Sequence, residues 1–187
     1  METPENLVWE EVSCEHIVRD EWIDFRSSTY KMPNGKISGP YYSSSRKNFV
    51  IIVATTEDGN YICVKQFRQG IKQVTTEFCA GCIECVNDVL EDNLTAAKRE
   101  LLEETGYGSD DWGHMLTVPS HATLADNYMS IFVAKNCQKI NSQQNLDEDE
   151  FLNVYLYSRN ELEEMIKNGG FPQASHILAL YMADKWY

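Results

Sequence analysis

Apolar residues change their spacing several times along this chain, and each change marks an element. NFVIIVAT (48–55) is an almost unbroken apolar run of strand length and predicts a buried strand. EDGN then supplies a turn into YICVKQF (61–67), so the two runs predict a β-hairpin. QVTTEF, MLTVPS, YMSIFVAKN (128–136) and FLNVYLY (151–157) add further strands. Helical spacing is found from Leu94 to Thr105 and at 159–168, where Gly169-Gly170 ends it. A last amphipathic helix is expected over 173–186, with Ala174, Ile177, Leu178 and Tyr181 on one face. Residues 1–45 alternate short apolar patches with charge around the turn Pro33-Asn34-Gly35, which predicts a hairpin-rich N-terminal piece. Its aromatics Trp9, Trp22, Phe25 and Tyr30 are expected to be mostly core. Strands outnumber helices and are joined mostly by turns, so the fold class expected is α+β.

Length and charge narrow the function. At 187 residues the chain suits one domain with a small appendage. Sixteen basic against 29 acidic residues give a net charge of −13, which argues against nucleic acid as a partner and suits a protein that holds divalent cations. No apolar run approaches the roughly 18–20 residues that cross a bilayer, so no membrane partner is expected. The acidic N-terminus carries no apolar leader core, so a cytoplasmic location and six reduced cysteines are expected.

The densest chemistry lies in EDNLTAAKRELLEETGY (91–107). Asn93 is the expected N-cap of the helix and Gly106 its terminator. Glu100, Glu103 and Glu104 stand at i, i+3 and i+4, within one arc of about 100°. Spacing alone leaves two readings: a solvated acidic face, or a carboxylate set neutralised by cations. An all-oxygen set of this kind suits Mg²⁺ or Mn²⁺ rather than zinc. Arg99 is placed to brace Glu103, four residues on.

Arg99 to Tyr107, RELLEETGY, resembles the REUxEExGU signature of the Nudix hydrolases, and Glu91 precedes Arg99 by the seven intervening residues that signature asks for. EFCAGCIE (77–84) resembles the E-L/F-P-A-G-G-x-x-E loop of the ADP-ribose pyrophosphatase-like branch. Cys79 stands at its proline and Cys82 at its second glycine. The loop before Glu91 is about three residues longer than usual, and Cys85 falls in that extra length. Cys79, Cys82 and Cys85 then read as loop positions rather than a thiolate metal cluster, which would also lack a fourth ligand.

The resemblance implies a Nudix α/β/α sandwich with a mixed sheet: an N-terminal β extension at 1–45 for dimerisation and substrate, then a Nudix domain at 46–187. It implies metal contacts from Glu100, Glu103, Glu104 and Glu77, and a substrate-facing Arg68 in VKQFR, with Glu91 and Arg99 also at the substrate. The general base is expected in NLDEDEFLNVYLY, where Asp147 and Asp149 flank the candidates Glu148 and Glu150; a helix glutamate such as Glu103 is the alternative. His121 lies where relatives carry Ser-Pro-Gly-x-x-x-Glu, and Asn127 replaces that glutamate. The function implied is metal-dependent hydrolysis of a nucleoside-diphosphate sugar by a homodimer. Two alternatives stand beside it: another nucleotide diphosphate, or a Nudix sensor that binds a nucleotide without hydrolysing it.

Overall fold

The computed structural model describes residues 6–87, 89–148 and 150–185. The chain forms two compact units. The first takes the described residues up to Lys47 together with Pro119–Tyr128; the second takes Asn48–Val118 and continues from Met129.

In the first unit, β1 (Glu10–Arg19), β2 (Asp24–Lys31) and β3 (Ile37–Ser45) form an antiparallel sheet in that order. Residues 119–128 are tied to it by polar bonds. The Arg26 guanidinium donates to the Asp126 carboxylate at 2.8 Å, the Ser45 hydroxyl donates to the same carboxylate, and the Asn127 amide donates to the Lys47 carbonyl at 3.0 Å. The expectation of a core here is overturned. Every residue of β1 is exposed, and Trp9 and Trp22 remain 42% and 64% accessible. A single three-stranded sheet has too little chain to cover both of its faces, so its aromatics pair along the surface. Trp9 packs edge-on to Tyr41 at 5.5 Å, and Phe25 stacks on Tyr42 at 5.8 Å.

The second unit is built on β4 (Phe49–Thr56), β5 (Tyr61–Arg68) and β6 (Gln73–Cys82). The short hairpin β7 (Cys85–Val86) and β8 (Val89–Leu90) leads into α1 (Asn93–Thr105). Then follow β9 (Tyr107–Gly108), β10 (Asp111–Pro119), β11 (Tyr128–Lys139), β12 (Leu152–Tyr157), α2 (Arg159–Lys167) and α3 (Ala174–Ala183). The large sheet has the order β10-β11-β4-β6-β5-β12, with β9 on β11. It is mixed: β11 runs parallel to β4, while β4–β6, β5–β6 and β5–β12 are antiparallel.

Strand β4 explains the layering. Val50, Ile52 and Ala54 pack with Ala96, Ala97 and Leu101 of α1, while Ile51 and Val53 pack with Leu162, Phe171, Ala179 and Leu180 on the opposite face. A strand covered on both faces must be apolar at successive positions, which is why 48–55 shows no alternation. The expected β4–β5 hairpin survives only beside its turn, at Ala54–Ile62 and Thr55–Tyr61. Beyond that β6 wedges between the two strands, pairing first with β5 and then, from Cys79 to Cys82, with β4.

Two further expectations are corrected. The α1 N-cap is Asp92, whose carboxylate accepts from the Leu94 and Thr95 amides; the Asn93 side chain donates to Ser130 instead. The buried face of α3 is His176, Ala179, Leu180 and Ala183, while Leu178 and Tyr181 are exposed. The small alanines let α3 approach the sheet, and His176 follows them inward because its Nδ1 accepts from the Phe78 amide at 3.1 Å. Residue 186, the end of the helix expected there, lies outside the described residues, as does Asp149. Among the described residues no helix is long and apolar enough to cross a membrane.

Candidate active site

Helix α1 buries Ala97, Leu101 and, on the same face, Glu100 and Glu104, which retain 8% and 2% exposure. The carboxylates are thus pressed toward β6 with the helix's apolar contacts, and a solvated acidic face is ruled out for these two. Glu103 projects sideways, with its side chain about one-third exposed. Strand β6 is shaped to receive them. A Cβ built on Gly81 would overlap the Glu100 carboxyl, so only glycine leaves room there. The Ala80 amide donates to Glu104 Oε2 at 3.3 Å, and the buried Cys79 thiol also bonds that carboxyl.

Arg99 holds the cluster together. Its Nε and Nη2 reach the two oxygens of Glu91 at 3.1 and 2.9 Å. Its Nη1 spans Glu100 and Glu103 at 2.9 and 3.1 Å, and Nη2 also reaches the Cys82 carbonyl at 3.1 Å. These bonds use all five guanidinium N–H groups. Glu91 and Arg99, expected at the substrate, are therefore spent on each other and on the helix carboxylates. Their pairing holds Glu91 below the usual carboxylate range.

Burial pushes Glu100 up to about 7 despite Arg99, and pushes Glu104 up to about 8. The nearby charge of Glu150 raises both. Glu150 arrives there because the end of β11 and the segment after it cap α1. The Asn145 amide donates to the Glu103 carbonyl at 2.9 Å, the Gln144 amide group to the Glu104 carbonyl, and Lys139 Nζ to the Thr105 carbonyl at 2.7 Å. The orphan carbonyls of the last turn are thus satisfied by the loop that carries the acidic candidates. Of these, Glu150 is half-buried and its charge acts on Glu100 and Glu104, whereas Glu148 sits exposed in a turn. Gln144 and Asn145 had no sequence signal, since a capping bond to a distant helix leaves no local pattern.

Arg68 and Glu77 form a separate group. Arg68 donates from Nε to Glu77 Oε1 at 2.9 Å and from Nη2 to Oε2 at 2.6 Å. Thr75 adds a bond to Oε1 at 2.9 Å and Gln173 a bond to Oε2, while His176 Nε2 lies 3.7 Å from Oε2. The two Arg68 N–H groups, Thr75 and Gln173 fill the four lone-pair sites of Glu77, which was expected among the metal contacts. His121 belongs to the first unit, where its carbonyl accepts from the Leu124 and Ala125 amides. Cys79 is buried beside Glu104, and Cys82 and Cys85 are exposed.

The family model for the NUDIX domain matches residues 45–180. The chain belongs to the Nudix family. It is a Nudix pyrophosphohydrolase. An ADP-ribose pyrophosphatase of Bacillus subtilis (strain 168) is 30% identical over 157 residues, 84% of this chain and 82% of the relative. The Methanol dehydrogenase activator of Bacillus methanolicus is 25% identical over 90% of this chain and 89% of its own. The ADP compounds hydrolase NudE of Escherichia coli (strain K12) is 26% identical over 76% of this chain and 73% of its own. A crystal structure of an ADP compounds hydrolase shares the Nudix fold, with a TM-score of 0.81 at 21% identity over 98% of this chain and 96% of that one.

Nudix hydrolases generally use divalent metal ions, and the α1 residues fit one chemically. Among the described residues no three acidic, histidine or cysteine side chains are grouped so as to hold a metal ion. Yet Glu100 and Glu104 are buried carboxylates whose ionised forms the protein leaves under-compensated, and a hard cation beside them would supply the missing charge.

Proposed function

We propose that this Nudix protein hydrolyses the diphosphate of a nucleoside-diphosphate sugar of the ADP-ribose type, giving a nucleotide and a sugar phosphate. Glu100, Glu103 and Glu104 would hold Mg²⁺ or Mn²⁺, which when bound neutralises phosphoryl charge and acidifies water. The observation that carries this reading is the burial of Glu100 and Glu104 against the Gly81 cradle. Arg99, with its donors committed, fixes the rotamers of Glu100 and Glu103. Glu150 is the better placed of the two loop candidates for general base, because it shares the field of the α1 carboxylates; Glu148 is the alternative. A positioned base of this kind is worth about 10²–10⁴-fold. Arg68 binds the substrate diphosphate with the guanidinium N–H groups that Glu77 does not use.

The homodimer is part of the proposal. Val12, Ile17 and Val18 stand about half exposed on β1, apolar surface that a second copy of the chain would cover. A cytoplasmic location accompanies it.

The experiment is a panel assay of ADP-ribose, ADP-glucose, NADH and GDP-mannose with Mg²⁺, the products resolved by chromatography. AMP and ribose 5-phosphate from ADP-ribose are expected. No turnover of any of the four would contradict the reading and favour a binding-only protein.

A further inference from the structure

Glu77 is fully buried, yet its principal partner, Arg68, keeps about a third of its side chain exposed. The pair therefore has an inner end and an outer end. At the inner end, the Thr75 hydroxyl, the Gln173 amide and the edge of His176 surround the carboxylate. Because His176 Nδ1 accepts the Phe78 amide, the proton of the neutral ring is on Nε2, directed toward Glu77. Gln173 is the N-cap residue of α3 but makes no capping bond; its side chain serves Glu77 instead. Further anchoring comes from the Thr76 amide, which donates to the Gly170 carbonyl at 3.2 Å. At the outer end, Nε and Nη2 of Arg68 are held in the plane of the Glu77 carboxylate, which leaves both N–H groups of Nη1 and one of Nη2 for a ligand.

We infer that Gln173 and His176 are positioning residues for substrate binding: through Glu77 they fix the Arg68 guanidinium, so that the start of the C-terminal helix sets the grip on the substrate's diphosphate. The inference rests on the reading of Arg68 as a diphosphate contact given above. A long arginine on a strand end samples many rotamers, and a bidentate carboxylate that is itself locked removes that freedom before the ligand arrives. None of the groups involved touches the α1 carboxylates in this arrangement, so the effect falls on substrate affinity rather than on the metal site.

The test is calorimetric binding of ADP-ribose in EDTA, where no turnover occurs, to the full-length wild type, Gln173→Ala, Glu77→Gln, Arg68→Ala, and Arg68→Ala combined with Gln173→Ala. We expect Kd to rise about tenfold or more in Glu77→Gln and severalfold in Gln173→Ala. In the Arg68→Ala background the Gln173 substitution adds nothing, because the group it positions is gone. Mg²⁺ half-saturation of activity stays unchanged in Gln173→Ala. If Gln173→Ala weakens binding equally with and without Arg68, or shifts the Mg²⁺ requirement, the positioning role is wrong and the residue acts structurally. Equal binding by wild type and Gln173→Ala overturns it as well. Wild-type protein that neither binds nor hydrolyses ADP-ribose overturns the substrate reading, and the inference with it. Gln173 is only partly buried, so its variant tests the idea even if Glu77→Gln fails to fold.

Discussion

Glu77 and Glu104 are both almost without solvent exposure, and both are bonded to β6 or belong to it, yet their surroundings are opposite in kind. Glu77 is enclosed by Arg68, Thr75, Gln173 and His176, with a donor for each lone pair. Glu104 has one long amide bond and a thiol; burial, with the neighbouring charges of Glu100 and Glu150 added to it, pushes it up to about 8. Burying a carboxylate costs several kcal/mol unless its charge is compensated. The protein supplies that compensation at Glu77 and withholds it at Glu104. A buried acid left in deficit marks where an external cation belongs; a buried acid in balance marks a structural clamp.

The sharpest way to break this comparison is to neutralise each glutamate in turn. Glu104→Gln is expected to lower kcat on the order of 10³-fold while leaving the apo-protein as stable or more so, since a penalised buried charge disappears. Steady-state assays and denaturant midpoints check both halves. Gly81→Ala comes next, with a loss of about 10²-fold, because the added methyl must displace the Glu100 carboxyl. Glu77→Gln has the opposite signature: a stability loss of about 1–3 kcal/mol, reduced from the figure for a wholly buried pair by the exposure of Arg68. Equal destabilisation by Glu104→Gln and Glu77→Gln would erase the distinction.

The same contrast has a pH form. His176 is held down to about 4 by burial, below its unfolded value, so its contribution is present above about pH 6.5 and is lost as pH falls toward 4. Urea titrations should show a stability loss approaching about 3 kcal/mol over that window, absent from a His176→Asn variant. Glu100 and Glu104 act in reverse. Their raised values mean that protonation stabilises the metal-free fold at low pH, and that this is lost as pH rises through about 7 and 8. Mg²⁺ should therefore raise the melting temperature more at pH 8 than at pH 6; where it stands at a hundredfold excess over its Kd it stabilises the fold by about 2.7 kcal/mol.

Much of this arrangement was readable in the chain before folding, but unevenly. The α1 string was legible because helical spacing alone brings Glu100, Glu103 and Glu104 to one side, and Gly106 takes the left-handed φ of 69° that ends the helix. The apolar run at 48–55 was legible because burial on both faces removes alternation. The insertion of β6 between β4 and β5 was not, since a strand's choice of partner depends on residues far away in sequence. In α3, counting apolar residues favours Leu178 and Tyr181, whereas a long-range bond to the Phe78 amide draws His176 inward. The divergence of Glu77 from Glu104 was also hidden: Gln173 lies 96 residues from Glu77, and nothing local announces it. Local signals thus placed the carboxylates, and distant partners decided which of them remain in deficit.

The central claim is that the deficit at Glu104 and its α1 neighbours is where the cation binds. Calorimetric Mg²⁺ titration of the wild type, Glu104→Gln and Glu77→Gln tests it most directly. The account predicts that the wild type and Glu77→Gln bind Mg²⁺ alike, while Glu104→Gln binds it at least tenfold more weakly. Unchanged Mg²⁺ affinity in Glu104→Gln, with a loss in Glu77→Gln, would contradict it.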